Sequence, residues 1–202
     1  MKRILIIILL LFSLPIFAQN AAGNFSLGAR STFNFFNEGA ANEVGLGTGG
    51  QFRMQLNDRI NTEWYADFIQ TNIQNQVSRT DYHIGWSVFY YLLKNQPQFI
   101  QPFVEAGHCF DYTNVRRYSD SESLERWSAA VQMGSGTHFN LSDRFDFTLK
   151  AQYMIHIGSD IHTHLEDGIL HLEEKKGTDL EGHLLVTASV NYKIAKVWNR
   201  QK

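Results

Sequence analysis

The chain reads as all-β: a closed antiparallel transmembrane β-barrel of about eight strands. Three observations predict it. Apolar and polar residues alternate in segment after segment from Asn24 to Ile194, the period of strands whose successive side chains point to opposite faces. The connections between segments alternate between short and long, as on the two rims of a bacterial outer-membrane barrel. The alternation is preceded by a stretch with the layout of a secretory signal.

Residues 1–18 are expected to be that cleaved signal. Lys2 and Arg3 supply the charged start, Ile4 to Leu14 the apolar centre, and Pro15 breaks it before Ala18, a small residue suited to cleavage ahead of Gln19. As a membrane anchor the apolar run falls short of the ~20 residues that a helical span needs. Residues 19–194 are then the barrel, and 195–202 a short periplasmic tail.

The first strand sets Phe25, Leu27, Ala29, Phe33 and Phe35 against Ser26, Gly28, Arg30, Thr32 and Asn34. The second, about 46–56, opposes Leu46, Phe52, Met54 and Leu56 to Gln51, Arg53 and Gln55. The third, from Ile60, sets Trp64, Ala66 and Phe68 against Asn61, Glu63, Tyr65 and Asp67. In the fourth, Tyr82, Ile84, Trp86, Val88, Tyr90 and Leu92 oppose Asp81, His83, Gly85 and Ser87.

The fifth places Ile100, Val104, Ala106, Phe110 and Tyr112 opposite Gln101, Glu105, Gly107 and Asp111. The sixth has Trp127, Ala129, Val131, Met133 and Phe139 against Ser128, Gln132, Gly134 and His138. The seventh sets Phe145, Phe147, Leu149, Ala151, Tyr153 and Ile155 against Asp146, Thr148, Lys150, Gln152 and His156. The last opposes Leu184, Val186, Ala188, Val190 and Tyr192 to His183, Thr187, Ser189 and Asn191.

Asn57 to Arg59, Lys94 to Gln98 and Asn140 to Arg144 are expected as tight turns, whereas Asn37 to Gly45, Thr71 to Arg79, Thr113 to Glu125 and Gly158 to Gly182 are expected as long polar loops. Aromatic residues gather near strand ends, where amphipathic rings sit at headgroup level. Phe25, Tyr90, Phe139, Phe145 and Tyr192 would form the lower girdle, and Phe35, Phe68, Tyr82, Tyr112 and Trp127 the upper. Alternation alone does not say which face is inside, so a secreted soluble barrel or sandwich stays open. Long, evenly matched strands with regular rims favour the membrane.

Composition agrees. Removing 18 residues from 202 leaves 184, which suits one domain, and losing Lys2 and Arg3 takes the net charge from −2 to −4. That charge gives no support for nucleic acid as a partner. Cys109 is the single cysteine, so no internal disulfide forms. A hydrophobic content of 44% fits a barrel in which only alternate strand residues meet lipid.

Over the mature length the chain resembles the small outer-membrane β-barrels of the OmpA/OmpX-like superfamily. The resemblance rests on Phe17-Ala18-Gln19, on Gly47-Thr48-Gly49-Gly50 entering a strand, on the turns Leu56-Asn57-Asp58-Arg59 and Leu141-Ser142-Asp143-Arg144, and on the closing stretch Leu184 to Ile194. It implies a barrel with periplasmic termini and extracellular loops, in contact with outer-membrane lipid and lipopolysaccharide. A structural or interaction role through the loops follows, covering membrane integrity, adhesion or contact with an extracellular partner. No cofactor and no catalysis are expected. OmpA carries a peptidoglycan-binding domain after its barrel, whereas only Ala195 to Lys202 follow here.

Four constellations could carry chemistry. Arg30, Arg53, Glu63, Asp67, Asp81, Glu105, Asp111, Asp146 and Lys150 share the polar parity. In an eight-strand lumen, just wide enough for side chains, they must pair, because an isolated buried charge costs several kcal/mol. They would form a plug or, alternatively, line a narrow channel. In the last loop, Asp167-Gly168 suits a two-residue hairpin turn that sets His164 opposite His171 and His162 opposite Glu173, a candidate zinc or copper site. Arg116 and Arg117 are candidates for lipid phosphates. A lipid A-modifying enzyme would need Ser and His near the lipid face, and His108 is the strand histidine on the apolar parity, with no Ser two residues on.

Overall fold

Every second side chain of the alternating segments is buried, and it is the polar one. Arg30, Arg53, Glu63, Asp111, Thr148 and Asn191 are buried, while Leu27, Phe33, Trp64, Trp86, Phe110 and Leu149 are exposed. The apolar face therefore points out of the structure, the reverse of a soluble protein. Trp127 at 75% and Met133 at 65% relative exposure have no protein to cover them. A continuous apolar exterior of this kind is stable only against lipid.

The computed structural model describes residues 22–36, 44–93, 98–120, 122–158, 160–166, 169–175 and 182–198. The expected signal, residues 1–18, lies outside them. The strands are β1 (Asn24–Phe36), β2 (Val44–Gln55), β3 (Ile60–Ile73), β4 (Val77–Tyr91), β5 (Ile100–Arg117), β6 (Ser123–Asn140), β7 (Phe145–Ile157), β8 (Asp160–Glu166), β9 (Ile169–Lys175) and β10 (Gly182–Lys196). Eight of them close a barrel in the order β1-β10-β7-β6-β5-β4-β3-β2, and β8 and β9 form a separate two-stranded sheet. Each barrel strand is antiparallel to both neighbours. Closure pairs every wall strand on both sides, which a bilayer demands because it offers no water to a free edge. The β1–β10 seam runs from Phe36↔His183 to Asn24↔Lys196, so the ladder continues two residues past Ile194.

Two turns share one construction. At Leu56 to Ile60 the Asn57 side-chain oxygen accepts from the backbone amides of Arg59 (2.8 Å) and Ile60 (2.9 Å). At Leu141 to Phe145 the Ser142 hydroxyl accepts from those of Arg144 (3.3 Å) and Phe145 (3.0 Å). Each side chain mimics a turn of backbone, the ability that favours Asn and Ser at such positions. On this rim Arg59 donates to the Tyr90 hydroxyl and Arg144 to that of Tyr192.

The opposite rim corrects the sequence reading. Thr71 to Arg79 is not a loop: β3 and β4 stay paired through Thr71↔Arg79 to Ile73↔Val77. Gln74 (φ 49°) and Asn75 (φ 55°) make a two-residue turn closed by Gln76 N donating to Ile73 O at 3.0 Å. Positive φ at both central residues is the primed hairpin geometry that follows strand twist. Thr113 to Glu125 is likewise mostly strand, paired through Val115↔Leu124 and Arg116↔Ser123. Beyond the bilayer the outer face of a strand no longer meets lipid, so the alternation fades although the ladder does not.

Candidate functional site

Outside, the rings gather into two bands. Phe68, Tyr82, Tyr112 and Trp127 contact in series at centroid distances of 5.1, 5.8 and 4.8 Å. Below, Phe25–Phe52–Trp64 (6.1 and 4.9 Å) and Phe145–Tyr192 (4.9 Å) lie near the opposite strand ends. Tyr82 and Tyr90 are eight residues apart on β4, about 26 Å of strand, which a barrel tilt reduces to about 20 Å of height. That approaches the ~25 Å apolar band of such barrels. From Tyr112, β5 continues five residues to Arg117, about 17 Å more strand above the upper band.

Inside, the lumen is filled in layers. Nearest the turn rim, Phe89 stacks on Phe103 (4.5 Å) and Phe103 on His138 (4.6 Å), with Tyr91 against both. These aromatics sit on the polar parity. Continuing the register of Ser87 to Phe89 and Tyr91, and of Glu105 back to Phe103, would have found them.

The next layer holds seven of the expected charges. Glu63 is its hub, with Arg53 Nε at 2.7 Å, Lys150 Nζ at 2.9 Å and Arg30 Nη1 at 3.3 Å. Lys150 also reaches Glu105 (3.0 Å), Arg53 reaches Asp146 (3.1 Å) and Arg30 reaches Asp67 (3.0 Å). The Arg30 guanidinium lies 4.2 Å over the Tyr65 ring, a cation–π contact strengthened by desolvation. Tyr65 in turn covers Gly85, where a Cβ would stand 2.5 Å from the Tyr65 hydroxyl oxygen. Its own hydroxyl donates to Gln132 at 2.6 Å.

A dry layer follows. Ile69, Cys109, Ala130, Met154 and Leu185 form one buried cluster across the lumen.

Above it lies a second polar layer, to which the remaining expected charges, Asp81 and Asp111, belong. Arg79 Nε bonds both Asp81 oxygens at 3.0 and 3.1 Å, and Thr113 donates to Asp81 at 2.7 Å. Arg126 donates to Asp111 Oδ2 at 3.1 Å. His83 Nε2 stands 3.4 Å from Asp111 Oδ1 and His156 Nδ1 3.2 Å from Oδ2. The His156 and His183 rings meet at 4.7 Å. Arg79 closes a stretch expected as a loop and Arg126 lies between the expected loop 113–125 and the alternation that starts at Trp127, although each keeps the inward parity of its strand.

An apolar cap closes the top. Val77 and Val115 point inward from the extended β4 and β5 and bury Ile161 of β8, with Ile73, Leu124 and Leu172 of β9 packed alongside. The β8–β9 register pairs His164 with His171 and His162 with Glu173; their side chains lie outside the described residues. Arg116 is exposed on the outer face above Tyr112. Arg117 is engaged by Asp120 (2.5 Å) and Glu122 (2.6 Å) at the β5–β6 tip. Bonds from Arg117, then from the Glu122 amide, hold the Asp120 carboxyl down at about 2. His108 faces outward against Phe110 at 4.7 Å, with Trp86 and Val131 as its ladder neighbours.

Residues 4–193 match the family described as outer membrane protein beta-barrel domain. The chain belongs to this family. It is an outer-membrane β-barrel, located in the outer membrane and in contact with its lipids. Solved structures agree on the fold. Neisserial surface protein A is 12% identical with a TM-score of 0.59, covering 84% of this chain and 97% of that one. The N-terminal barrel of Pseudomonas aeruginosa OprF is 10% identical with a TM-score of 0.55, over 86% and 98%. A major outer membrane protein of Thermus thermophilus is 7% identical with a TM-score of 0.57, over 84% and 99%. No curated protein matches the sequence significantly.

Proposed function

We propose that this barrel works from its outer surface, as a structural and contact protein whose wall carries a paired blade into the extracellular space. The observation that carries the reading is the unequal rim. β3, β4, β5 and β6 are 14, 15, 18 and 18 residues long, against the ~9–11 that cross a bilayer. A rigid ladder above the headgroups loses less entropy on binding than a loop would, so it suits adhesion or another surface partner. On this reading the rim where β1 begins and β10 ends faces the periplasm. Arg116, on the outer face of β5 just above Tyr112, is placed for a lipopolysaccharide phosphate.

Neither alternative gains an observation of its own. For a channel, the two polar layers are separated by the dry cluster and capped by apolar residues. For a lipid-modifying enzyme, the ladder neighbours of His108 are Trp86 and Val131, which offer neither nucleophile nor acid. The test is to replace residues 113–125 by a two-residue hairpin turn and score attachment of expressing cells to surfaces. The variant should keep its heat-modifiable gel mobility and lose attachment. Unchanged attachment, or altered lipid A acylation on expression of the intact chain, would contradict the reading.

A further inference from the structure

We infer that the upper polar layer is a buried divalent transition-metal site, with Asp81, His83 and Asp111 as its principal ligands and His156 alongside. The four come from three wall strands: β4 supplies Asp81 and His83, β5 Asp111, and β7 His156. Ligand atoms of Asp81, His83 and Asp111 all lie within 4.8 Å of one another, and all three residues are buried.

The spacing favours a shared ion over hydrogen bonding alone. His83 Nε2 to Asp111 Oδ1 is 3.4 Å and His156 Nδ1 to Asp111 Oδ2 is 3.2 Å. The first exceeds the usual 2.7–3.2 Å of an N–H···O bond. It matches the edge of a tetrahedron with metal–ligand bonds near 2.0–2.1 Å, which is about 3.3 Å. Among the described residues, none donates a hydrogen bond to the buried Asp111 Oδ1. A buried carboxylate oxygen aimed at an imidazole nitrogen with no donor in bonding geometry is an unmet demand that a cation satisfies.

The donor set names the class of ion. Two imidazoles and carboxylate oxygens suit Zn²⁺ or a neighbour such as Co²⁺, whereas Ca²⁺ and Mg²⁺ require a cage of oxygens. Arg126 occupies the other oxygen of Asp111 and Arg79 both oxygens of Asp81. Arg126 thus acts as the outer partner that orients a ligating carboxylate, and Asp81 must turn from Arg79 to bind. The ion would tie β4, β5 and β7 together at the height of the upper aromatic band, under the cap formed by Ile161 and its neighbours.

The hairpin histidines could also hold zinc, so the test starts from a His162→Ala/His164→Ala/His171→Ala background. The full chain is refolded in detergent with Zn²⁺, dialysed, and its metal content measured by atomic emission. The expected result is one zinc per chain in that background and at least a tenfold loss on adding His83→Gln/His156→Gln, with heat-modifiable gel mobility retained. Refolding the background with Co²⁺ gives a second readout independent of the Gln variants: the intense visible bands of a four-coordinate nitrogen–oxygen site. Zinc bound by the intact chain but not by the background, zinc indifferent to the Gln substitutions, or no cobalt bands would each overturn the inference.

Discussion

The two polar layers of the lumen solve the same problem with different chemistry. The lower layer sets three permanent cations, Arg30, Arg53 and Lys150, around Glu63 and adds Asp67, Glu105 and Asp146 at its edges. The upper layer has Arg79 and Arg126 against Asp81 and Asp111 and fills the remaining space with imidazoles. In the first, every cation is paired with at least two carboxylates. The second adds the imidazoles of His83 and His156, side chains of a kind that also serves as metal ligands. The lower layer is thus held by permanent cations and carboxylates alone, whereas the upper one adds imidazoles beneath the cap that Ile161 helps to form.

The largest test of this contrast is at the hubs. Glu63→Ala removes the shared partner of three cations, leaving each with a single carboxylate, and should cost about 3–5 kcal/mol, the range for breaking a buried ion pair. Asp111→Ala strands one permanent cation and neutral-capable imidazoles, so the loss should be smaller. Urea unfolding in lipid vesicles, followed by gel mobility, compares them; equal losses would erase the distinction.

Next is Gly85→Ala, which strikes the lower layer from behind. A Cβ there meets Tyr65, whose ring supports Arg30, so the expected cost is about 1–3 kcal/mol from overpacking. Unfolding measurements should show it, with partial rescue by Tyr65→Phe, which removes the clashing hydroxyl.

Smaller effects sharpen the picture at the rim. Gln74→Gly should stabilise the β3–β4 tip by about 0.5 kcal/mol, because glycine adopts positive φ without strain. Amide exchange at Ile73 and Gln76 reads this locally. Smallest is the β5–β6 tip. The Asp120 carboxyl is held below its ordinary value, at about 2. Its contribution is therefore complete above about pH 4, the range of a free Asp, and is lost as pH falls toward 2. Exchange of the Glu122 amide, which donates to Asp120 at 3.1 Å, should quicken over that window, and Asp120→Asn should flatten the dependence.

Much of this was legible in the sequence, for a definite reason. A period of two is visible wherever one face meets lipid, so Trp64 against Glu63 and Trp86 against Ser87 display the wall directly. Above the headgroups the contrast between faces disappears, and Thr71 to Arg79 reads as loop although the backbone stays paired. Arg79 was lost with it. The hairpin was legible through Asp167-Gly168, and its register agrees with the pairing of His164 and His171. Its docking was not, because only packing brings Ile161 against Val77 and Val115. Partnerships across the lumen, such as Lys150 with Glu63, depend on closure and carry no local signal.

The account turns on a lumen stopped by an aromatic plug, a dry waist and an apolar cap, leaving the outer surface to act. Ion current through the purified, folded chain in planar bilayers tests this most directly. The account predicts a trace indistinguishable from bare membrane, with leakage appearing only when the waist is made polar, as in Ile69→Ser/Leu185→Ser. A steady current through the unmodified barrel, rising in proportion to voltage and salt, would contradict it.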